Sequence, residues 1–468
     1  MSDTRKSTSG VPLRERIRCP HCWHLFAPED TLWVSAHPDL RGDPCLTGDH
    51  QQRFLPSRFD VEGRALDIMG LPCRQLACPN CHLTVPRGAL EMDSLFLSIL
   101  GAPGSGKSYL LASMTWALQC SLMSHFGLDI VDVDPDANTI LTGYHATLFS
   151  NPNEDQLVNL PKTDTEGHLY ESVTVGGRVL KCAKPFIFAV QPNERHPNYQ
   201  QSKQLSRTLC LYDNAGEHFL PGLESASSPV TQHLSLARAL LFLFDPTQHP
   251  EFRKACRGRS ADPQMEEQHW AHQQHQVLQE AAKRIRETTG LAQTEKHRRP
   301  LIVVVTKYDA WFALTKGKQL QSEWVVRQHD GRVATLDVDK LRSLSATVRE
   351  LLVRYAGEVV SAAEGFSNDV IYIPVSALGR GPEVDPVSKK LAIRPRDIAP
   401  MWAEVPMLYA LHRSVPGLVT SANSKSNSAR VARVRLALPP DSATEIPATQ
   451  LHVSRNVSRR GDFKETGS

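Results

Sequence analysis

Eight consecutive residues constrain this chain more than any others: Gly101-Ala102-Pro103-Gly104-Ser105-Gly106-Lys107-Ser108, which fit the pattern G-x-x-x-x-G-K-[ST]. An apolar run, Ser94 to Leu100, precedes them, and a stretch of helical length without Gly or Pro, Ser108 to Met123, follows. Strand, glycine-rich turn and helix in that order make a phosphate cradle. Gly101, Gly104 and Gly106 let the backbone curl around Ser105 so that its amides converge on phosphate oxygens. The helix N-terminus adds a favourable dipole. Lys107 is placed to neutralise β- and γ-phosphates, and the Ser108 hydroxyl to bind Mg²⁺. The segment points to a nucleoside triphosphate, with Lys107 among the candidate catalytic residues.

The remaining apolar runs set the fold around that cradle. Thr208 to Tyr212, Ala239 to Phe244, Leu301 to Val305 and Val370 to Val375 are short and separated by longer, more polar stretches. Such runs predict buried parallel strands with helices on both faces. The expected class is α/β, a mostly parallel P-loop NTPase sheet, with a small N-terminal zinc-ribbon domain and a disordered C-terminal tail. The expected divisions are a leader at 1–16, the ribbon with an inserted loop at 17–90, the nucleotide domain at 91–420 and a flexible basic tail at 421–468. Tyr170 to Val175 and Arg178 to Val190 read as a hairpin across Gly176-Gly177. Gln264 to Thr289 reads as a solvated helix.

Composition removes several classes of function. The 468 residues are 41% apolar and carry 53 basic against 50 acidic side chains, a balance of +3 that demands neither nucleic acid nor an anionic membrane. The N-terminus is polar and lacks a secretory signal. The most apolar segment, Leu234 to Phe244, is too short to span a bilayer and contains Arg238. A cytoplasmic protein without a membrane partner is the expectation, and its ten cysteines are then thiols or metal ligands.

Four of those cysteines form two C-P-x-C turns, Cys19-Pro20-His21-Cys22 and Cys78-Pro79-Asn80-Cys81. Two such turns can present four thiolates to a structural Zn²⁺ and leave no open position for catalysis. The 55 residues between the turns exceed the usual spacing, so an inserted loop must leave and return. Cys45, Cys73, His21, His24 and His82 are the candidates to replace a ligand or build a second site.

Three further segments follow predicted strands: Asp213-Asn214-Ala215-Gly216-Glu217, Thr306-Lys307-Tyr308-Asp309 and Ser376-Ala377-Leu378. In an open parallel sheet, ligands bind at the carboxyl ends of strands, so all four loops can converge. The order G-x-x-x-x-G-K-S, D-x-A-G, T-K-x-D, S-A-L resembles the P-loop GTPases related to Ras and the translation factors, over about residues 94 to 417. The resemblance implies that Asp213 holds Mg²⁺ through water and that the Gly216 amide senses the γ-phosphate. It implies that Asp309 accepts the guanine N1 and N2 protons, Lys307 lies along the base and the Ala377 amide meets O6. Thr306 and Ser376 complete the base-side loops. Adenine offers Asp309 no such pair of donors, so GTP and GDP are favoured.

The departures qualify that likeness. Thr306 stands where the family more often has Asn, and Leu378 where it has Lys. A water-orienting Gln is replaced by Glu217, with His218 beside it as a second candidate, which implies slow hydrolysis. Ser108 and Asp213 are 104 residues apart, and the threonine completing the Mg²⁺ site falls to Thr163 ahead of Thr165. The ribbon, the ending Asp245-Pro246 and S-A-L-G also resemble the bacterial double-GTPase proteins of anti-phage conflict systems. That likeness implies a GTP-gated switch working with partner subunits. Three other readings stay open: an ATPase or nucleotide kinase on the same fold, a pseudo-GTPase scaffold, and a nucleic-acid-binding module using the ribbon, Lys296 to Arg299 and the tail.

Overall fold

The computed structural model describes residues 13–161, 169–214, 219, 229–266, 274–315, 324–327 and 333–422. Its centre is a seven-stranded sheet. In chain order the strands are β1 (Asp93–Gly101), β2 (Leu128–Asp132), β3 (Phe186–Pro192), β4 (Arg207–Asp213), β5 (Ala239–Phe244), β6 (Leu301–Val305) and β7 (Val370–Pro374). Their spatial order is β7-β6-β5-β1-β4-β3-β2. Every residue of β5 and β6 is buried, so both faces of the sheet are covered, as expected for parallel strands.

β1 pairs in parallel with β4 on one side, Asp213 opposite Ile99, and with β5 on the other, Leu243 opposite Gly101. β6 and β7 continue the parallel set, ending with Phe244 opposite Val305 and Val305 opposite Pro374. Five strands therefore finish along one edge. The helices that cover them include α1 (Lys107–Ser121), α2 (Pro135–Phe149), α3 (Gln274–Thr289), α4 (Val338–Tyr355), α5 (Gly357–Phe366) and α6 (Val405–Ser414). α4 packs on β7, and α6 on β5 and β6.

Two elements differ from the sequence reading. The Gly176-Gly177 hairpin exists, with both glycines at positive φ, but its second arm stops at Ala183. Lys184-Pro185 breaks the run, and Phe186–Pro192 leaves to become β3, antiparallel to β4 and β2. Within 264–289 the described helix is Gln274–Thr289, while Pro263–Met265 is a short 3₁₀ turn. α3 is also less solvated than its composition suggests: Val277, Leu278, Ala281, Ala282, Arg284 and Ile285 are all buried. In the basic run 296–299, Lys296 and Arg298 are exposed while the other two residues turn into the fold. His297 stacks on Phe366, and the Arg299 guanidinium donates to the carbonyls of Ser235 and Ala237.

The cysteine-rich region has its own apolar cluster, including Ile17, Phe26, Leu76, Leu83 and Val85. Three short strands in the long interval between the cysteine pairs, Arg53–Phe54, Leu32–Val34 and Leu76–Ala77, form one antiparallel sheet with Thr84–Val85, which follows the second pair. No helix among the described residues is long and apolar enough to cross a membrane.

One side chain extends the edge of the main sheet. Asn138 on α2 is 1% exposed; its Oδ1 accepts from the Ile187 amide at 2.9 Å and its Nδ2 donates to the Ile187 carbonyl at 2.9 Å. β2 ends at Asp132 opposite Phe188, so Asn138 supplies the next rung of the ladder. Asn138→Ala strands both groups, at about 1–3 kcal/mol each. Chemical unfolding is expected to show a loss of about 2–4 kcal/mol, with an unchanged far-ultraviolet spectrum.

Candidate nucleotide site and four-cysteine centre

The loops after β1, β6 and β7 wall one cavity of about 320 Å³. Its lining includes Gly104, Ser105, Gly106, Lys107 and Ser108, with Thr306, Lys307 and Asp309, and with Ser376, Ala377 and Leu378. Asp213, buried at the end of β4, is one strand away from the phosphate loop. Leu160 and Pro161 reach the cavity too, because the Tyr109 hydroxyl accepts from the Leu160 amide at 2.9 Å. Thr163, Thr165, Gly216, Glu217 and His218 lie outside the described residues.

The phosphate loop needs its glycines. Gly104 and Gly106 have φ of +71° and +86°, which side chains resist. A Cβ on Gly101 would stand 2.8 Å from Ser105 Oγ and 3.0 Å from Leu243 Cβ, so the loop could not close against β5. Lys107 Nζ donates to the carbonyls of Gly101 and Ala102, both at 3.0 Å. The Ser105 hydroxyl is buried without a hydrogen-bond partner. A curled loop with a buried lysine and an unmet hydroxyl fits a polyphosphate.

The base side is built around Lys307. This residue is left-handed, φ +53°, and is held so by its neighbours: the Tyr308 amide donates to Val375 and the Trp311 indole to Thr306. Its ammonium donates to Asp245 Oδ2 at 2.6 Å, Thr247 Oγ1 at 3.0 Å and Gln264 Oε1 at 2.7 Å. Two Asp-Pro turns supply those acceptors. Asp245 caps the Thr247 amide at 2.9 Å and Asp262 caps the Gln264 amide at 2.8 Å, with proline fixing φ in between.

Asp309 is fastened by the Ser376 hydroxyl, which donates to its Oδ1. Burial raises the Asp309 carboxyl above its ordinary value, against the lowering effects of Ser376 and the Lys307 charge. Burial raises Asp262 as well, and the nearby Asp309 charge adds to it. The loop after β7 holds its shape through Gly379, φ +83°, where a Cβ would lie 2.0 Å from the Ala399 carbonyl oxygen. Ser113 on α1 donates to the Ala377 carbonyl at 2.6 Å, tying that loop to the helix behind the phosphate cradle.

The sequence marks Asp245-Pro246 only as a strand ending and gives no role to Asp262, Gln264 or the side chain of Asn214. The signal available was the repeated Asp-Pro followed by a hydrogen-bonding side chain. Asn214 donates to Ser98 Oγ and the Ile99 carbonyl at 2.9 and 2.8 Å, fixing where the chain leaves β4.

The Sγ atoms of Cys19, Cys22, Cys78 and Cys81 all lie within 4.8 Å of one another, with Cys19–Cys81 and Cys22–Cys78 at 3.7 Å. A tetrahedron with 2.3 Å metal–sulfur bonds has edges of about 3.8 Å, so the set fits Zn²⁺. The two turns repeat each other. The amides of Cys19 and Cys78 each donate five residues ahead, to His24 and Leu83, at 3.0 Å. Trp23 and His82, each just after a second cysteine, share φ near +60°. The amides of His21 and Asn80 point at Cys19 and Cys78 sulfurs.

Of the other candidate ligands, Cys45 and His82 form with Asp43 a second group whose donor atoms lie within 4.8 Å of one another, a set that could hold a metal. His21 faces the carbonyls of Thr84 and Ala183, and His82 Nδ1 pairs with buried Asp43 at 2.9 Å. Cys73 is buried elsewhere, and Cys45 lies beside Asp43 and His82. The centre is also joined to the sheet. Trp23 Nε1 donates to the Tyr212 hydroxyl at 3.2 Å, Tyr212 donates to the Pro20 carbonyl, and the Tyr212 and His233 rings stack at 4.3 Å.

No protein-family model matches the chain. A curated protein of Mycolicibacterium smegmatis, described as "Putative ESX-1 scaffolding and assembly protein SaeC", is 25% identical over 398 residues, which cover 78% of this chain and 92% of that protein. Among solved structures, Aquifex aeolicus Era bound to GDP.AlF4− matches with a TM-score of 0.20 and 13% identity, over 62% of this chain and 53% of that one.

The cysteine geometry makes a direct prediction. The purified chain should carry one zinc by elemental analysis, and Cys81→Ala should carry almost none. Structural zinc contributes on the order of 10 kcal/mol to such modules, so the variant should be cut by protease between Cys22 and Cys78 where the wild type resists.

Proposed function

We propose that the chain is a guanine-nucleotide-binding, Mg²⁺-dependent switch that hydrolyses GTP slowly and acts with protein partners. The observation that carries this reading is the placement of Asp309, a half-buried carboxylate held by Ser376, on the same cavity as the phosphate loop. A carboxylate accepts the paired N1 and N2 protons of guanine and finds no such pair on adenine. Ser108 and Asp213 are the residues that would hold Mg²⁺, which when bound neutralises charge developing on the β- and γ-phosphate oxygens.

The segments 162–168 and 215–218 contain Thr163, Gly216, Glu217 and His218, the residues proposed to sense or hydrolyse the γ-phosphate. Glu217 in place of a neutral water-orienting group speaks for a low intrinsic rate and for a partner that raises it. The likeness to SaeC supports protein partners and favours an assembly role over the defence setting that the resemblance implies. The pairing of Arg299 and His297 within the fold gives the nucleic-acid reading no support.

Calorimetric titration with GTP, GDP and ATP in Mg²⁺ tests the proposal. GTP and GDP should bind at micromolar or tighter, and Asp309→Asn should weaken both by about 100-fold, as expected for two hydrogen bonds to a charged group. Equal ATP binding that the substitution leaves unchanged would remove the guanine assignment.

A further inference from the structure

Asp262 is 5% exposed and lines the same cavity as Asp309, Ser376 and Ala377. Its Oδ1 is engaged by the Gln264 amide at 2.8 Å, whereas its Oδ2 is buried without a hydrogen-bond partner. A buried acceptor left unmet is costly, and more so when charged. The cations nearby are already committed. The three protons of the Lys307 ammonium go to Asp245, Thr247 and Gln264. The Arg380 guanidinium faces Asp397 at 3.0 Å and Glu383 at 3.8 Å. Gly381 packs close against this carboxylate, and a Cβ there would stand 3.0 Å from Asp262 Oδ2 and crowd it further. Among the described residues no side chain meets Oδ2, which leaves it available to a ligand's donor.

We infer that Asp262 is a second guanine-reading carboxylate, whose Oδ2 accepts the 2-amino proton that Asp309 leaves unmet. This rests on the guanine reading above and deepens it. Guanine presents three protons along one edge, one on N1 and two on the exocyclic nitrogen. A single carboxylate takes N1–H and one of the amino protons, and a second acceptor is needed for the other. Both carboxyls are raised by burial, and the Asp309 charge adds to the rise at Asp262. A base that donates to both relieves that opposition. Hypoxanthine keeps N1–H and lacks the amino group, so inosine nucleotides separate the two carboxylates' roles.

The experiment is calorimetric titration of the full chain with GDP and with IDP, on wild type, Asp262→Asn and Asp309→Asn. Asn at 262 can still cap Gln264 through its oxygen and places an amide nitrogen where Oδ2 stands. The wild type should prefer GDP to IDP by at least about 100-fold, and Asp262→Asn should lower that preference about tenfold, to what the Asp309 contact with the amino group supplies. Taking the ratio cancels the general gain from removing a negative charge beside an anionic ligand. GDP carrying one methyl on its amino nitrogen, tested on the wild type, needs no substitution and should bind at least about tenfold more weakly than GDP.

A GDP-to-IDP preference that Asp262→Asn leaves unchanged, or methylated GDP that binds as well as GDP, would overturn the assignment while leaving the guanine reading intact. A wild type that does not bind GDP, or Asp309→Asn that binds it undiminished, would overturn the guanine reading and this inference with it.

Discussion

The Lys307 ammonium, with Asp245 at 2.6 Å and two neutral acceptors, is the contact on which the base side of the cavity depends. Asp245 has no accessible side-chain surface, so this is a buried pair. Desolvation can cancel most of the attraction in such a pair, and its net stabilisation is small. Its consequence is geometric. One cation fixes the ends of β5 and β6 and the turn at Pro263–Met265, and Gln274 on α3 clamps the Asp245 backbone at 2.8 and 2.9 Å. Four separate stretches of chain must be in place before all three ammonium protons are met. Asp309, two residues beyond Lys307, inherits its position from that arrangement.

A second chain of contacts runs from the four-cysteine centre into the sheet. Tyr212 directly precedes Asp213, and its hydroxyl lies between Pro20 of the first cysteine turn and the Trp23 indole. Tyr212 and Trp23 both belong to the main core, each 6% exposed or less. The cysteine module is thereby packed against the strand that ends at the Mg²⁺-ligand candidate. Trp23 can reach there because the turn after Cys22 is left-handed, φ +58°, which swings the next side chain outward from the sulfurs. His82 occupies the equivalent place after Cys81 and is turned toward Asp43 instead. The same local geometry thus serves two ends: one copy anchors the module to the sheet, the other anchors its inserted loop.

Legibility followed burial. Ala239–Phe244 and Leu301–Val305 were readable to the residue because every position is buried and the run has no competing period. Phe186–Pro192 was misjoined to the hairpin because glycine punctuation was given more weight than Lys184-Pro185. β2 was invisible: its burial fades along Leu128–Asp132, as at a sheet edge, and leaves no apolar signature. The phosphate loop, Thr306 to Asp309 and Ser376 to Leu378 were legible as motifs since backbone geometry there admits few residue types. Asp262 and Gln264 were not, because they act from a three-residue turn whose importance comes from Lys307, far away in sequence.

The two departures on the base side become intelligible in this frame. Thr306 is 6% exposed, and its hydroxyl donates to the Phe244 carbonyl at 3.2 Å and reaches the Ser105 carbonyl at 3.5 Å. A short side chain spans from the end of β5 to the phosphate loop because β5 and β6 end in register. Leu378 gives the cavity an apolar wall where a lysine would bring charge. Its loop needs no polar anchor from that side chain, since the Ala399 amide donates to the Leu378 carbonyl at 2.9 Å and the Gly379 amide to Ser376 Oγ at 2.8 Å. With the wall apolar, the carboxylates of Asp309 and Asp262 face a drier space, and burial is what raises both. Lower polarity strengthens any hydrogen bond a base makes there and increases the cost of one left unmade. On the proposed reading, selectivity at this end of the cavity is set by how many carboxylate acceptors a base can satisfy at once.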